Sequence, residues 1–258
     1  MKHAIVPMAG MPVLMAVSIV AFAALSSAAF AQEATSIEGG VGAEAIVDAV
    51  ESTDASDAST TAVTPPVSTI LNGQINLNQV ISDVKVVYDD GSGVDATAAS
   101  FANDFTGVTR GSTLDLTSTQ TNEARTTANV NVTVDEIDGY VGANALAISN
   151  KLTAGSNFAG STMNVEQTTN AATRATTNLT TSDGWGVVHG SATAIANSAT
   201  GAAAGFGNPA PLDVTSTQTN NAATRAQVNL TTDNTNHAAF TNLQATAIGN
   251  TATYGADF

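Results

Sequence analysis

Residues 212–230 read LDVTSTQTNNAATRAQVNL, and their polarity alternates with period two. Leu212, Val214, Ser216, Gln218, Asn220, Ala222, Thr224, Ala226, Val228 and Leu230 share one face. Asp213, Thr215, Thr217, Thr219, Asn221, Ala223, Arg225, Gln227 and Asn229 share the other. Such alternation marks β structure with one buried face. Two earlier stretches repeat the words, LDLTSTQTNEARTTANVNV at 114–132 and MNVEQTTNAATRATTNL at 163–179. Each is followed by a second arm: ANALAISN at 143–150, GSATAIAN at 190–197 and LQATAIGN at 243–250. The distances from Gln120, Gln167 and Gln218 to Ile148, Ile195 and Ile248 are 28, 28 and 30 residues. Two separate words held 28 to 30 residues apart three times define a repeat.

The expected fold is all-β, a β-solenoid in which successive copies stack in register and hydrogen-bond along the backbone. A curved antiparallel sheet of long hairpins is the alternative architecture. The repeat domain is expected over 70–258, with copies at about 70–110, 111–159, 160–208 and 209–258. The first copy is degenerate, and its Gln79 and Asn103 are expected where later copies place Gln and the terminal Asn. A span of 19 residues exceeds the roughly 5 to 10 of an ordinary strand, so the first arm must turn a corner near its Asn-Ala-Ala segment. Glycines such as Gly139, Gly155, Gly184 and Gly201 are read as connections. A buried amide is costly unless paired, but identical amides stacked one rung apart bond to one another. The expected structural ladder comprises Gln120, Gln167 and Gln218; Asn131, Asn178 and Asn229; Ile148, Ile195 and Ile248; and Asn150, Asn197 and Asn250.

Upstream, the order of Lys2, the apolar run 13–25, small residues and Ala29-Phe30-Ala31 reads as a signal peptide over 1–31, shorter than a membrane span. Residues 32–69 carry acids and no base, and read as a flexible acidic linker; a short helix around 42–50 is the local alternative. The chain has no cysteine, so disulfides contribute nothing to its stability. It has 22 acids and a net charge of −15, and beyond the signal only Lys85, Arg110, Arg125, Lys151, Arg174 and Arg225 are strong bases. That balance makes nucleic acid and anionic lipid poor partners. Aromatics make up 5% of the chain, too few for a thick globular core.

Candidate chemistry is sparse. Arg125, Arg174 and Arg225 follow their glutamines by five, seven and seven residues and are expected as one outward row. Such a row either keeps the surface soluble or contacts an acidic polysaccharide or protein. Thr117, Thr119 and Thr121, with Thr215, Thr217 and Thr219, form an array of the kind that orders water and binds ice, interrupted by Asn164 and Glu166. Residues 89–95, DDGSGVD, suit a hairpin turn better than a calcium loop. His189 and His237 are isolated, and Asp135 and Glu136 are read as turn residues without a partner. No nucleophile elbow, zinc motif or phosphate loop is present. No metal, cofactor or enzyme activity is expected. The terminal Phe258 hints at an outer-membrane barrel, but outer faces of Thr, Asn and Arg do not suit lipid.

The words QTTNAATRA and ATAIAN behind a signal peptide resemble two groups over about residues 70–258. One is the curli-type subunits; the other, closer in its second arms, is the holdfast-anchor family HfaD. The resemblance implies a surface protein associated with the outer membrane that helps fix an adhesive polysaccharide, the holdfast, to the envelope. Implied partners are other anchor subunits or self, the polysaccharide, and a secretion pore related to the curli exporter. The repeat is longer than the curli unit and lacks its glycine-rich turns, which favours a solenoid or small assembly over a secreted fibre or matrix subunit.

Overall fold

The computed structural model describes residues 65–205, 210–232 and 240–257. The expected signal peptide, most of the linker with its possible helix, His237 and Phe258 lie outside the described residues. Among those described, every regular element is a strand: β1 (Val67–Asn76), β2 (Val80–Arg110), β3 (Thr113–Asn122), β4 (Thr126–Asn157), β5 (Ser161–Thr169), β6 (Thr173–Ala204), β7 (Leu212–Asn220), β8 (Thr224–Thr232) and β9 (Phe240–Asp257). β1 opens inside the 32–69 stretch assigned to linker, because alternation already begins at Val67.

The short strands pair in the order β1-β3-β5-β7, and the long ones in the order β2-β4-β6-β8, with β9 also on β6. Every pairing is parallel, which rules out the antiparallel hairpin architecture. Each strand lies against its counterpart in the next copy: Leu116 against Met163, Met163 against Val214, Val141 against Val188. Parallel neighbours need a long crossover. Here the crossover is the rest of the copy, so β4 intervenes between β3 and β5. A register shift between Gly91 and Gly93 absorbs the one-residue difference between the first two copies.

β4 and β6 have 32 residues each, which at about 3.3 Å per residue would extend roughly 100 Å if straight. They bend instead, and burial records where. In β6 the buried positions are Thr173, Ala175, Thr177, Leu179 and Thr181, then Gly186, Val188, Gly190, Ala192, Ala194 and Ala196, then Asn197, Ala199, Gly201 and Ala203. The inward phase changes twice, once around Gly184, whose φ of 112° favours glycine, and once where Ala196 and Asn197 both turn inward. β4 changes phase at Gly139 (φ 148°) and again at Ser149 and Asn150. These glycines therefore bend continuous strands rather than mark connections. For the same reason 89–95 is strand with a bulge, not a hairpin, and Asp135 and Glu136 lie within β4. The expected corner in the first arm falls at 123–125, 170–172 and 221–223. The corners stack as well, with Asn170 N donating to Asn122 O at 2.8 Å and Asn221 N to Thr169 O at 2.8 Å.

Two apolar zones fill the interior. One joins Val130, Val132, Val134, Val141, Ala145, Leu179, Val188 and Ala192; the other joins Leu114, Leu116, Leu152, Met163, Val165 and Ala199. Both are built from small and medium side chains, as a thin interior requires. Between them the buried residues are polar: Gln120, Asn122, Thr126, Ser149, Asn150, Gln167, Thr169, Thr173 and Asn197.

Candidate functional site

Two amide columns run through this polar belt. Gln120 Nε2 donates to Gln74 Oε1, Gln167 Nε2 to Gln120 Oε1, and Gln218 Nε2 to Gln167 Oε1, each at 2.7 Å. The second N–H of each amide crosses the interior to a backbone carbonyl: Gln120 to Lys151, Gln167 to Ser198 and Gln218 to Thr251, all at 2.9 Å. In the other column Asn103 Nδ2 donates to Asn150 Oδ1 at 2.7 Å, Asn150 to Asn197 at 2.8 Å, and Asn197 to Asn250 at 2.7 Å. Their remaining N–H groups reach Thr121 O, Thr168 O and Thr219 O at 2.9 Å. Every amide thus links neighbouring copies and ties opposite walls together. Gln120 and Gln167 are completely buried, so they present nothing to a ligand. The glutamines donate toward the earlier copy and the asparagines toward the later one.

In the first copy Gln74, not Gln79, fills the glutamine position. Gln79 falls in the turn between β1 and β2, because β1 ends at Asn76. Asn103 does pair with Asn150. Asn131, Asn178 and Asn229 also stack, with Asn178 Nδ2 on Asn131 Oδ1 and Asn229 Nδ2 on Asn178 Oδ1 at 2.7 Å. They do so on the outer face, because the buried residues of that segment are Val130, Val132 and Leu179. Ile148, Ile195 and Ile248 pair in register below Phe101 on the outward phase of the second arm, where Ile148 is covered by its neighbours. Lys151 Nζ sits 5.4 Å from the Phe101 ring centroid and 3.3 Å from Asp104 Oδ2.

The arginine row is only partly formed. Arg174 pairs with Arg225, but its partner on the other side is Thr127. Arg125 lies in the corner beside an open hollow lined by Leu77, Gln79, Glu123 and Ala171. Parity counted from the glutamine holds within one strand, and a corner separates the two. The threonine face has one uninterrupted column, Thr121, Thr168 and Thr219, headed by the exposed Ile75. Asn164 and Glu166 break the other two. Among the described residues no group of three or more His, Asp or Glu is placed to hold a metal ion.

Two features escape the sequence reading. Asn221 Nδ2 donates to Asn170 Oδ1 and Asn170 Nδ2 to Glu123 Oε1, at 2.8 and 2.7 Å, forming a ladder along the exposed corner. Tyr140, Val187 and Phe240 form a register column on the outward face, with Trp185 beside it. The signal was available: each of the three stands eight residues before the isoleucine of its copy.

The family model described as holdfast attachment protein D matches residues 88–257, from within β2 to the end of β9. The chain belongs to that family. The HfaD assignment makes it a holdfast attachment protein, which is consistent with a structural role at the surface. No curated protein and no solved structure matches the chain.

Proposed function

We propose that the chain is a β-solenoid anchor that helps retain the adhesive polysaccharide at the outer membrane. It would consist of three clear repeats and one degenerate copy, tethered by the acidic 32–69 segment after export and cleavage of 1–31. The observation that carries the reading is the pair of buried amide columns. They tie each copy both to its neighbours and across its own interior, an arrangement suited to bearing load along the stack. HfaD membership supplies the holdfast context. Partner subunits, a second copy, the polysaccharide and the secretion pore belong to the same reading. Deleting the chain should leave growth intact while adhesive material sheds into the medium; normal retention would defeat the proposal. The same cells, fractionated, should carry the protein with the outer membrane.

A second reading, a fibre or matrix subunit, draws on the terminal rungs. β1 and β7 are edge strands, and the inward Leu243 of the last rung is 42% exposed. Purified chain would then polymerise with a cross-β signature. Ice binding rests on one threonine column and would require shaped ice crystals.

A further inference from the structure

Tyr140, Trp185 and Phe240 are the most exposed aromatics of the second-arm outer face, by 41, 68 and 59%, against 37% for Phe101. Tyr140 and Phe240 both pair with Val187, so they stand two rungs apart, about 9.6 Å at roughly 4.8 Å per rung. Trp185 lies on the rung between them, two residues before Val187 and on the same side. The Tyr140 ring lies along the sheet rather than standing away from it. A Cβ on Gly142 would meet Tyr140 Oη at 2.7 Å and Cε1 at 2.8 Å, so the glycine makes the seat on which the ring rests. A ring held this way presents its face to solvent. Three exposed aromatics gathered on neighbouring rungs of one face, in a chain with few aromatics, point to a docking surface.

The surroundings narrow the occupant. Beside the aromatic column run hydrogen-bonding groups: Asp95 Oδ1 accepts from Asn144 Nδ2 at 3.4 Å, and Asn144 Oδ1 from Ser191 Oγ at 2.6 Å. His189 pairs with Gly142 in the adjacent column. No lysine or arginine occurs in 88–101, 134–149, 181–196 or 240–250, whereas Asp95, Glu136, Asp138 and Asp183 do. This field repels polyanions. A flat apolar face flanked by hydroxyl-binding amides and carboxylates suits a sugar ring, whose C–H face is apolar and whose edge is polar. An extended β-1,4-linked pyranose chain turns the same ring face to one side at every second sugar, a repeat close to two rungs.

We propose that Tyr140, Trp185 and Phe240 form a stacking platform for an uncharged, extended β-1,4-linked polysaccharide running along the stack. This deepens the attachment reading and rests on it for biological context. Trp185 is the only tryptophan, so its emission reports on the site directly. Titrating the purified chain with neutral hexamers of β-1,4-linked glucose or N-acetylglucosamine should give a saturable blue shift. Tyr140→Ala and Phe240→Ala should each weaken binding at least fivefold with an unchanged far-ultraviolet spectrum, and an alginate hexamer should give no response. Silence toward both neutral hexamers overturns the proposal whether or not the variants fold. So does an equal response to alginate, or unchanged affinity in the Tyr140→Ala/Phe240→Ala double variant. In cells, shedding by the deletion strain with normal retention by the double variant sinks the platform and leaves the attachment reading standing. Retention by the deletion strain sinks the attachment reading instead.

Discussion

Replacing Gln167 with alanine tests whether the amide column holds the stack together. The side chain is fully buried and makes three hydrogen bonds: to Gln120 Oε1 at 2.7 Å, to Ser198 O at 2.9 Å, and from Gln218 Nε2 at 2.7 Å. Each bond contributes about 1 kcal/mol net, and a buried group left without a partner costs about 1–3 kcal/mol. Gln120 Oε1 is the group most completely stranded, since Gln120 is itself buried. The loss of the γ-methylene and the carboxamide also leaves a cavity. We expect a destabilisation of about 4 kcal/mol for Gln167→Ala. Gln218→Ala deletes the same chemistry from the half-buried last rung, where water can replace the missing partner, and should cost only about 1–2 kcal/mol. Equilibrium unfolding in urea, followed by far-ultraviolet dichroism and by Trp185 emission, measures both. Equal costs at the two positions, or a cost below about 1 kcal/mol at Gln167, would refute the reasoning.

Other sites give sharper signs. Thr127 Oγ1 is buried without a hydrogen-bond partner, so Thr127→Val should stabilise by about 1 kcal/mol and raise the urea midpoint. A Cβ on Gly190 would meet Leu179 Cδ1 at 2.8 Å and Val228 Cγ1 at 2.9 Å, so Gly190→Ala should lower the same midpoint by an overpacking cost of about 1–3 kcal/mol. Burial, and secondarily the carboxylate of Asp95, hold the Tyr140 phenol above its ordinary 10.0. Its contribution to stability is complete below the unfolded value and is lost as pH rises through the folded one. Asp95→Asn should move the Tyr140 titration, followed by NMR, back toward 10.0.

Much of the architecture is legible because each copy spends its inward positions on the same residue types. Alternation in 212–230 separates the faces of β7 and β8, and the 28- to 30-residue distance to the second arm brings the two amide columns of one copy across the interior from each other. Legibility fails where backbone geometry interrupts parity. Arg125 looks like a member of the arginine row only if its strand is assumed to run through the corner. Gln79 looks like a ladder residue only if β1 is assumed to continue past Asn76. The bends of β4 and β6 are hidden because alanine occupies both faces of the second arms, so no change of hydrophobic phase is visible at Ala196–Asn197. The aromatic column is obscured for a different reason: Val187 and the glycine at position 93 occupy its other places, so no single residue type recurs.

The opposed donor directions of the glutamine and asparagine columns bear on how such a molecule can lengthen. A single file of aligned amides would add its dipole with every copy, and the field at the two ends would grow with the stack. Two files pointing opposite ways largely cancel, so a duplicated unit enters with its own hydrogen bonds complete and little electrostatic penalty carried to the termini.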